Sequence, residues 1–189
     1  MKRRTLILLA LPLFVGGCGY NSIQSMDERA AAAQKQISVQ LQRRADLVPN
    51  LVNTVKGFAA QEAEVYETVA KARAGLLGAV TGGNVTEMAN ANQAMTGALG
   101  RLLAISENYP QLKSDQSFLR LQDELTGTEN RIAVARTDYN QAVQDYNSYI
   151  RKFPAVLTAK VTGAKPRDYF DVTNPAAREV PTVDFSKKP

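Results

Sequence analysis

Between Asn21 and Leu41 the apolar positions are Ile23, Met26, Ala30, Ala33, Ile37 and Leu41. Spacings of three and four put them on one helix face, which is thin and rich in alanine. From Val48 onwards two adjoining rows replace it. One is Val48, Val52, Val55, Ala59, Tyr66, Val69 and Leu76; the other is Leu51, Phe58, Val65 and Ala72. A stripe this broad buries against several partners. The pattern predicts a first helix from about Asn21 to Ala79. Pro49 interrupts it. Proline lacks the backbone donor, and its ring crowds the carbonyl four residues back, that of Ala45. Two readings follow. The helix continues with a kink, or Asp46 caps a new helix with Pro49 in its first turn and the chain reverses there. The kink is favoured, because a reversal usually takes a loop of about 2–8 residues with more glycine or polar content.

After the turn residues Thr81–Asn84 a second helix is predicted, from about Thr86 to Glu107. Its stripe is Met88, Asn92, Met95, Leu99, Leu102 and Ile105. Pro110 breaks it, and Ser114 or Asp115 can cap the next. The third helix, about Asp115 to Lys152, carries Phe118, Leu121, Leu125, Thr128, Ile132, Ala135, Tyr139, Val143, Tyr146, Ile150 and Phe153. The alternation of three and four slips once, at Ala135–Tyr139–Val143, as at a stutter. Gly127 is a weak point in it. Residues 154–189 hold five prolines and predict an irregular tail. Its large apolar residues, in "RDYFDV" and "VPTVDF", predict extended segments pinned to the bundle up to Phe185.

The fold expected is all-α: an elongated antiparallel up-down bundle of three long helices, or four if the chain breaks at Pro49. At about 1.5 Å per residue the helices measure about 90, 33 and 57 Å, so the lengths do not match. The alanine-rich start of the first helix then has no partner within the chain if that helix runs straight. It becomes a stalk or a seam for a second copy.

The N-terminus changes the picture. "MKRRTLILLALPLFVGGC" has a basic start, an apolar run from Leu6 to Val15 and small residues before the only cysteine. The run is short for a bilayer span, which takes about 20 residues, and reads as a secretory signal. "VGGC" resembles a bacterial lipoprotein signal, which implies cleavage after residue 17 and lipidation of Cys18. An uncleaved signal anchor is the alternative. A lone thiol in an oxidising compartment is explained by acylation. Two or three acyl chains anchor far better than one. By the same resemblance, Gly19 after the cysteine points to the outer rather than the inner membrane. The domains expected are the signal (1–17), the bundle (18–153) and the tail (154–189).

Charge and chemistry add mostly exclusions. The formal charge is +5, but three basic residues lie in the signal, leaving 20 of the 23 Lys and Arg against 18 acids. These are scattered, and no basic stripe with interleaved aromatics predicts nucleic-acid binding. Histidine is absent, the one cysteine is assigned to lipid, and no phosphate-binding loop occurs. Metal sites, cofactors and catalytic residues are therefore not expected. Carboxylate pairs such as Glu64 with Glu67, or Glu107 with Glu129, are more often a solvated helix face. Three polar groupings stand out. Arg43, Asp46 and Asn50 share a helix edge. Glu129 and Arg136 are seven apart. Tyr139-Asn140 recurs as Tyr146-Asn147, again seven apart. Register-setting polar contacts explain these, and so does a binding surface.

"SVQLQRRADLVPNLVNTVKGFAAQE" and "ENYPQLKSDQSFLRLQDELTGTENRIAVARTDYNQAVQDYNSYIRKFP" resemble the LemA family, over nearly the whole chain from Tyr20 to about Phe185. The resemblance implies an elongated helical bundle held at a bacterial membrane, and no established activity. Its characteristic positions correspond to Arg44, Asp46, Pro49, Asn50, Glu107, Tyr109, Pro110, Glu129, Asn130, Arg136, Tyr139, Asn140 and Asn147. The expected role is a non-enzymatic envelope lipoprotein facing the periplasm, a scaffold or adaptor for a protein partner, with self-association through Ala30 and Ala33. The alternatives are a carboxylate enzyme acting on envelope polymers and a lipid-binding, membrane-remodelling protein.

Overall fold

A computed structural model describes the backbone of residues 2–171 and the side chains of residues 19–171. The expectations for Cys18 and for the tail from residue 172 onwards lie outside the described side chains. The described chain is helical, with no strand. Helix α1 spans Lys2–Lys56, α2 Ala63–Gly82, α3 Val85–Ile105, α4 Pro110–Lys113, α5 Gln116–Tyr149 and α6 Ala155–Thr162. A short 3-10 turn, Ser106–Asn108, joins α3 to α4. Among the described residues no helix is long and apolar enough to cross a membrane.

The expected all-α, up-down bundle is present with the four principal helices of the alternative reading, but the reversal does not lie at Pro49. α1 passes through Pro49 without a break. The chain instead turns at residues 57–62, inside the stretch expected as continuous helix. Apolar periodicity did not reveal this turn because the row resumes across it. Val55, Ala59, Tyr66 and Val69 are all buried, although Val55 lies in α1, Ala59 in the turn and the other two in α2. The Tyr66 hydroxyl fastens the corner by donating to the Ala59 carbonyl at 2.5 Å. Lys56, in the last turn of α1, places its Nζ 5.1 Å from the centre of the Tyr66 ring. Four principal helices therefore run up, down, up and down.

The local signals at the other ends act as their chemistry requires. Gly83 closes α2 at φ 71°, a left-handed conformation that favours glycine. Asn84 then caps α3 by accepting from the Glu87 amide at 3.1 Å. Pro110 opens α4 at a position where its missing donor costs nothing. Asp115 caps α5 by accepting from the Phe118 amide at 2.9 Å. α3 and α5 match their expected spans to within a few residues.

The principal seam lies between α1 and α5. Ile37, Leu41, Val48 and Leu51 of α1 share a core with Phe118, Leu125, Ile132, Tyr139 and Val143 of α5. The α2–α3 hairpin covers one side of that seam. Gln34 donates to the Gly83 carbonyl at 2.7 Å, and the Ser38 hydroxyl reaches Met88 Sδ at 3.6 Å.

The alanine-rich start of α1 is not a stalk without partners in the chain. Ala30 is fully buried within the chain, and Ile23 packs with Tyr146, Ile150 and Ala159. The end of α5, helix α6 and residues 167–170 cover it. α6 was expected as irregular tail. Two positions of the expected stripes are also corrected. Phe153 is 80% exposed because α5 has ended by then, and Phe58 is 37% exposed because it sits on the corner.

Candidate functional site

The motif residues fall into two internal fastenings and a set of surface positions. The first fastening lies midway along the bundle. Arg44 projects from α1 into the interior and is 5% exposed. Its Nη1 donates to Asn92 Oδ1 of α3 at 2.6 Å and stands 2.6 Å from Glu129 Oε2 of α5. One guanidinium thus ties three helices. Burial pushes the Arg44 pKa down and the Glu129 charge opposes this. The group stays a cation, since arginine starts so high. Its Nε is buried without a hydrogen-bond partner. Glu129 and Arg136, seven apart on α5, do not share this contact. Instead Glu129 pairs with Arg44, and Arg136 is exposed.

Pro49 is tied to the same region. Because it has no amide hydrogen, the Ala45 carbonyl loses its helical donor. Arg73 of α2 fills the gap, its Nε donating to the Ala45 oxygen at 2.8 Å. The proline creates an acceptor on α1, and the neighbouring helix docks on it.

The second fastening explains the Tyr-Asn repeat. Residues 167–170 run extended against α5. The Asn147 side chain donates to the Arg167 carbonyl at 2.9 Å and accepts from the Arg167 amide at 2.9 Å. Asn140 does the same for Phe170, at 3.3 Å to the carbonyl and 2.8 Å from the amide. Tyr139, 1% exposed, donates its hydroxyl to the Asp168 carbonyl at 2.7 Å. The spacing has a geometric cause. Seven helical residues rise about 10.5 Å and three extended residues span about 10 Å, so asparagines one heptad apart match backbone positions 167 and 170. The Phe170 ring drops into the core at 2% exposure. Arg167 donates from Nε to Asp27 Oδ1 at 2.7 Å, linking the strap to α1. That contact raises the Arg167 pKa above its usual value. Burial pushes the Tyr139 and Tyr146 hydroxyls up.

The remaining motif residues do not converge. Asp46 is exposed and accepts from Gln42 at 2.9 Å, not from Arg43; Asn50 is also exposed. Gln61 donates to the Tyr109 hydroxyl, joining the corner after α1 to the turn after α3. Glu107 borders an open hollow beside Lys113 and Phe118. Glu129 lies eleven residues beyond Phe118, about 16 Å along α5, so Glu107 and Glu129 do not form a pair. Glu64 and Glu67 are exposed, and Glu67 pairs with Lys71 at 2.6 Å. Among the described residues no three His, Cys, Asp or Glu side chains are grouped to hold a metal ion. Asn130 borders an open groove on the other side of the α1–α5 seam, with Ala33, Gln36, Gln40, Val134 and Asp138. The Gln40 Oε1 atom is buried there without a hydrogen-bond partner. Sequence reasoning missed Arg73, Asp27 and Arg167. Only Arg73 had a signal: a carbonyl orphaned by proline needs a donor from elsewhere.

The fold is an antiparallel helical bundle whose motif residues join its own helices and hold residues 167–170 against α5. Residues 33–185 match the LemA family, and the chain belongs to that family. It is 32% identical over 176 residues to magnetosome protein MamQ 2 of Paramagnetospirillum magneticum strain AMB-1, covering 80% of this chain and 64% of that protein. MamQ of Magnetospirillum gryphiswaldense strain MSR-1 is 30% identical over 174 residues, with the same coverage. This chain therefore spans slightly less than two thirds of the length of these curated relatives.

Proposed function

We propose that the protein is a non-enzymatic, lipid-anchored scaffold of the bacterial envelope. One observation carries the reading: the polar motif residues with the strongest chemistry are consumed by internal contacts. Arg44 and Glu129 join helices, while Tyr139, Asn140 and Asn147 hold the strap. These contacts tie the bundle together, and among the described residues the motif side chains bring no acid, base and nucleophile into one place. Neither LemA nor the magnetosome name of the relatives denotes an enzyme, and both support a membrane-associated role. "VGGC" supplies the anchor at Cys18 and makes the membrane its first partner. The periplasmic side, and the outer membrane through Gly19, follow from that signal.

The surface offered to a protein partner is the uncovered groove along α1 and α5, where Val134 is 61% exposed beside the unsatisfied Gln40 carbonyl. A second copy of the chain can occupy it as well as another envelope protein.

Two experiments test this. Globomycin treatment or Cys18→Ser should accumulate unprocessed precursor and abolish acyl labelling; normal maturation under both sinks the lipoprotein reading. Crosslinking from a photoreactive residue at Val134 in the native envelope should capture a partner that Val134→Arg loses. Capture unaffected by that change removes the groove from the reading.

A further inference from the structure

The end of the bundle nearest the anchor carries an inverted helix. α6 buries its small residues: Ala155 is 3% exposed and Ala159 4%. Two of its three larger apolar residues point out, while Val156 is half-buried. Leu157 is 50% exposed and Val161 89%, with Phe153 just before the helix at 80%. A helix at a water-facing surface normally does the reverse, so grouped exposed apolar residues mark a contact surface. The position of α6 is equally specific. Gly19 of α1 lies against it, its Cα-substituent direction meeting Ala155 and Thr158 at 3.5 and 3.6 Å. From there α1 carries on directly into the residues around Cys18 and the apolar run before them.

Charge along the segment that holds α6 is one-sided. From Tyr146 to Pro166 the chain has four basic residues, Arg151, Lys152, Lys160 and Lys165, and no acid. All four are exposed. Residues 19–26 carry no charge at all. Large apolar side chains framed by cations fit the headgroup boundary of an anionic bilayer, where such helices bury about 5–10 Å deep. Anionic headgroups attract each nearby Lys or Arg. Tyr20, 46% exposed, adds an aromatic ring suited to the same boundary.

We infer that α6 is a membrane-contacting foot: Phe153, Leu157 and Val161 enter the interface of an anionic bilayer, and Lys152 and Lys160 bind its headgroups. This rests on the anchoring reading above, and it holds whether the anchor is an acylated Cys18 or an uncleaved leader, since both bring lipid to the same end. The anchor fixes the chain at one point, and the foot fixes the tilt of the bundle above the surface.

The chain contains no tryptophan, so one introduced indole is a unique reporter. Leu157→Trp, Val161→Trp and, as a control, Val134→Trp are made in the full-length protein. Each is reconstituted with its anchor into phosphatidylcholine vesicles, with or without phosphatidylglycerol. Unchanged helicity by circular dichroism checks the fold. The expected result is blue-shifted emission, quenched by brominated lipid, from positions 157 and 161 but not from 134. Quenching should weaken without phosphatidylglycerol and in Lys152→Gln/Lys160→Gln. Protein that floats with the vesicles while both reporters stay in water overturns the foot alone. Blue-shifted emission that brominated lipid does not quench, and that grows with protein concentration, assigns the face to a second copy and also overturns it. Failure to float removes the anchor, and the foot with it.

Discussion

At the residue scale, Pro49 and Arg73 form one device. Losing Arg73 leaves the Ala45 carbonyl without its donor, and an unsatisfied buried acceptor costs about 1–3 kcal/mol. Arg73→Leu should lower stability by that order in urea titrations. Pro49→Ala restores an amide donor to the same carbonyl, so the double variant should be more stable than Arg73→Leu alone. Additive effects would break the link. The proline was legible in the sequence as an interruption, and even the affected carbonyl was identifiable. The donor was not, because it arrives from 28 residues away after an unforeseen turn. Buried tyrosines give a pH prediction. Burial raises the pKa of Tyr66, Tyr139 and Tyr146 in the folded chain. The unfolded chain therefore releases these protons first, at pH near 10, and stability falls as pH rises beyond that. Below it their contribution is fully present. Tyr139→Phe should reduce the alkaline slope of the denaturation free energy, while an unchanged slope would contradict the assignment.

At the element scale, the strap shows how a heptad can serve something other than a second helix. The sequence made the Tyr-Asn repeat visible as a row on α5, and the structure assigns that row to an extended backbone. Nothing in the spacing alone distinguishes the two uses. The match between one heptad and three extended residues becomes informative only once "RDYF" is known to lie alongside. Asn147→Ala removes two backbone contacts, each worth about 0.5–1.5 kcal/mol. Amide exchange at Arg167 should accelerate, with a smaller effect at Phe170, which Asn140 still holds. Exchange unaltered at both positions would mean that the asparagine does not secure the strap. The missed corner at 57–62 has a different cause. Residues on both sides of it are apolar at helical intervals, so the burial pattern was read correctly while the direction of the chain was not.

At the scale of the whole molecule, the all-α bundle, the third helix and most of the core were readable from apolar periodicity. The pairing of helices was not. It depended on the corner, and with the corner unseen the start of α1 had no partner. In the structure Ala30 is fully buried within the chain, whereas Ala33 borders the open groove. Ala30→Glu should therefore lower the melting temperature sharply, since a buried unpaired charge is heavily penalised. Ala33→Glu should be tolerated. Equal, small effects would restore the stalk. The α1–α5 seam also has a temporal side. α2 and α3 are neighbours in sequence and can close on each other as soon as both exist, with little loop entropy to overcome. α1 leaves the ribosome before α5, yet its main partner begins at Gln116 and Arg167, which covers Asp27, lies 140 residues away. Until α5 and the strap have emerged, α1 is a greasy surface awaiting its mate, and a chaperone that recognises nascent apolar helices has its target there.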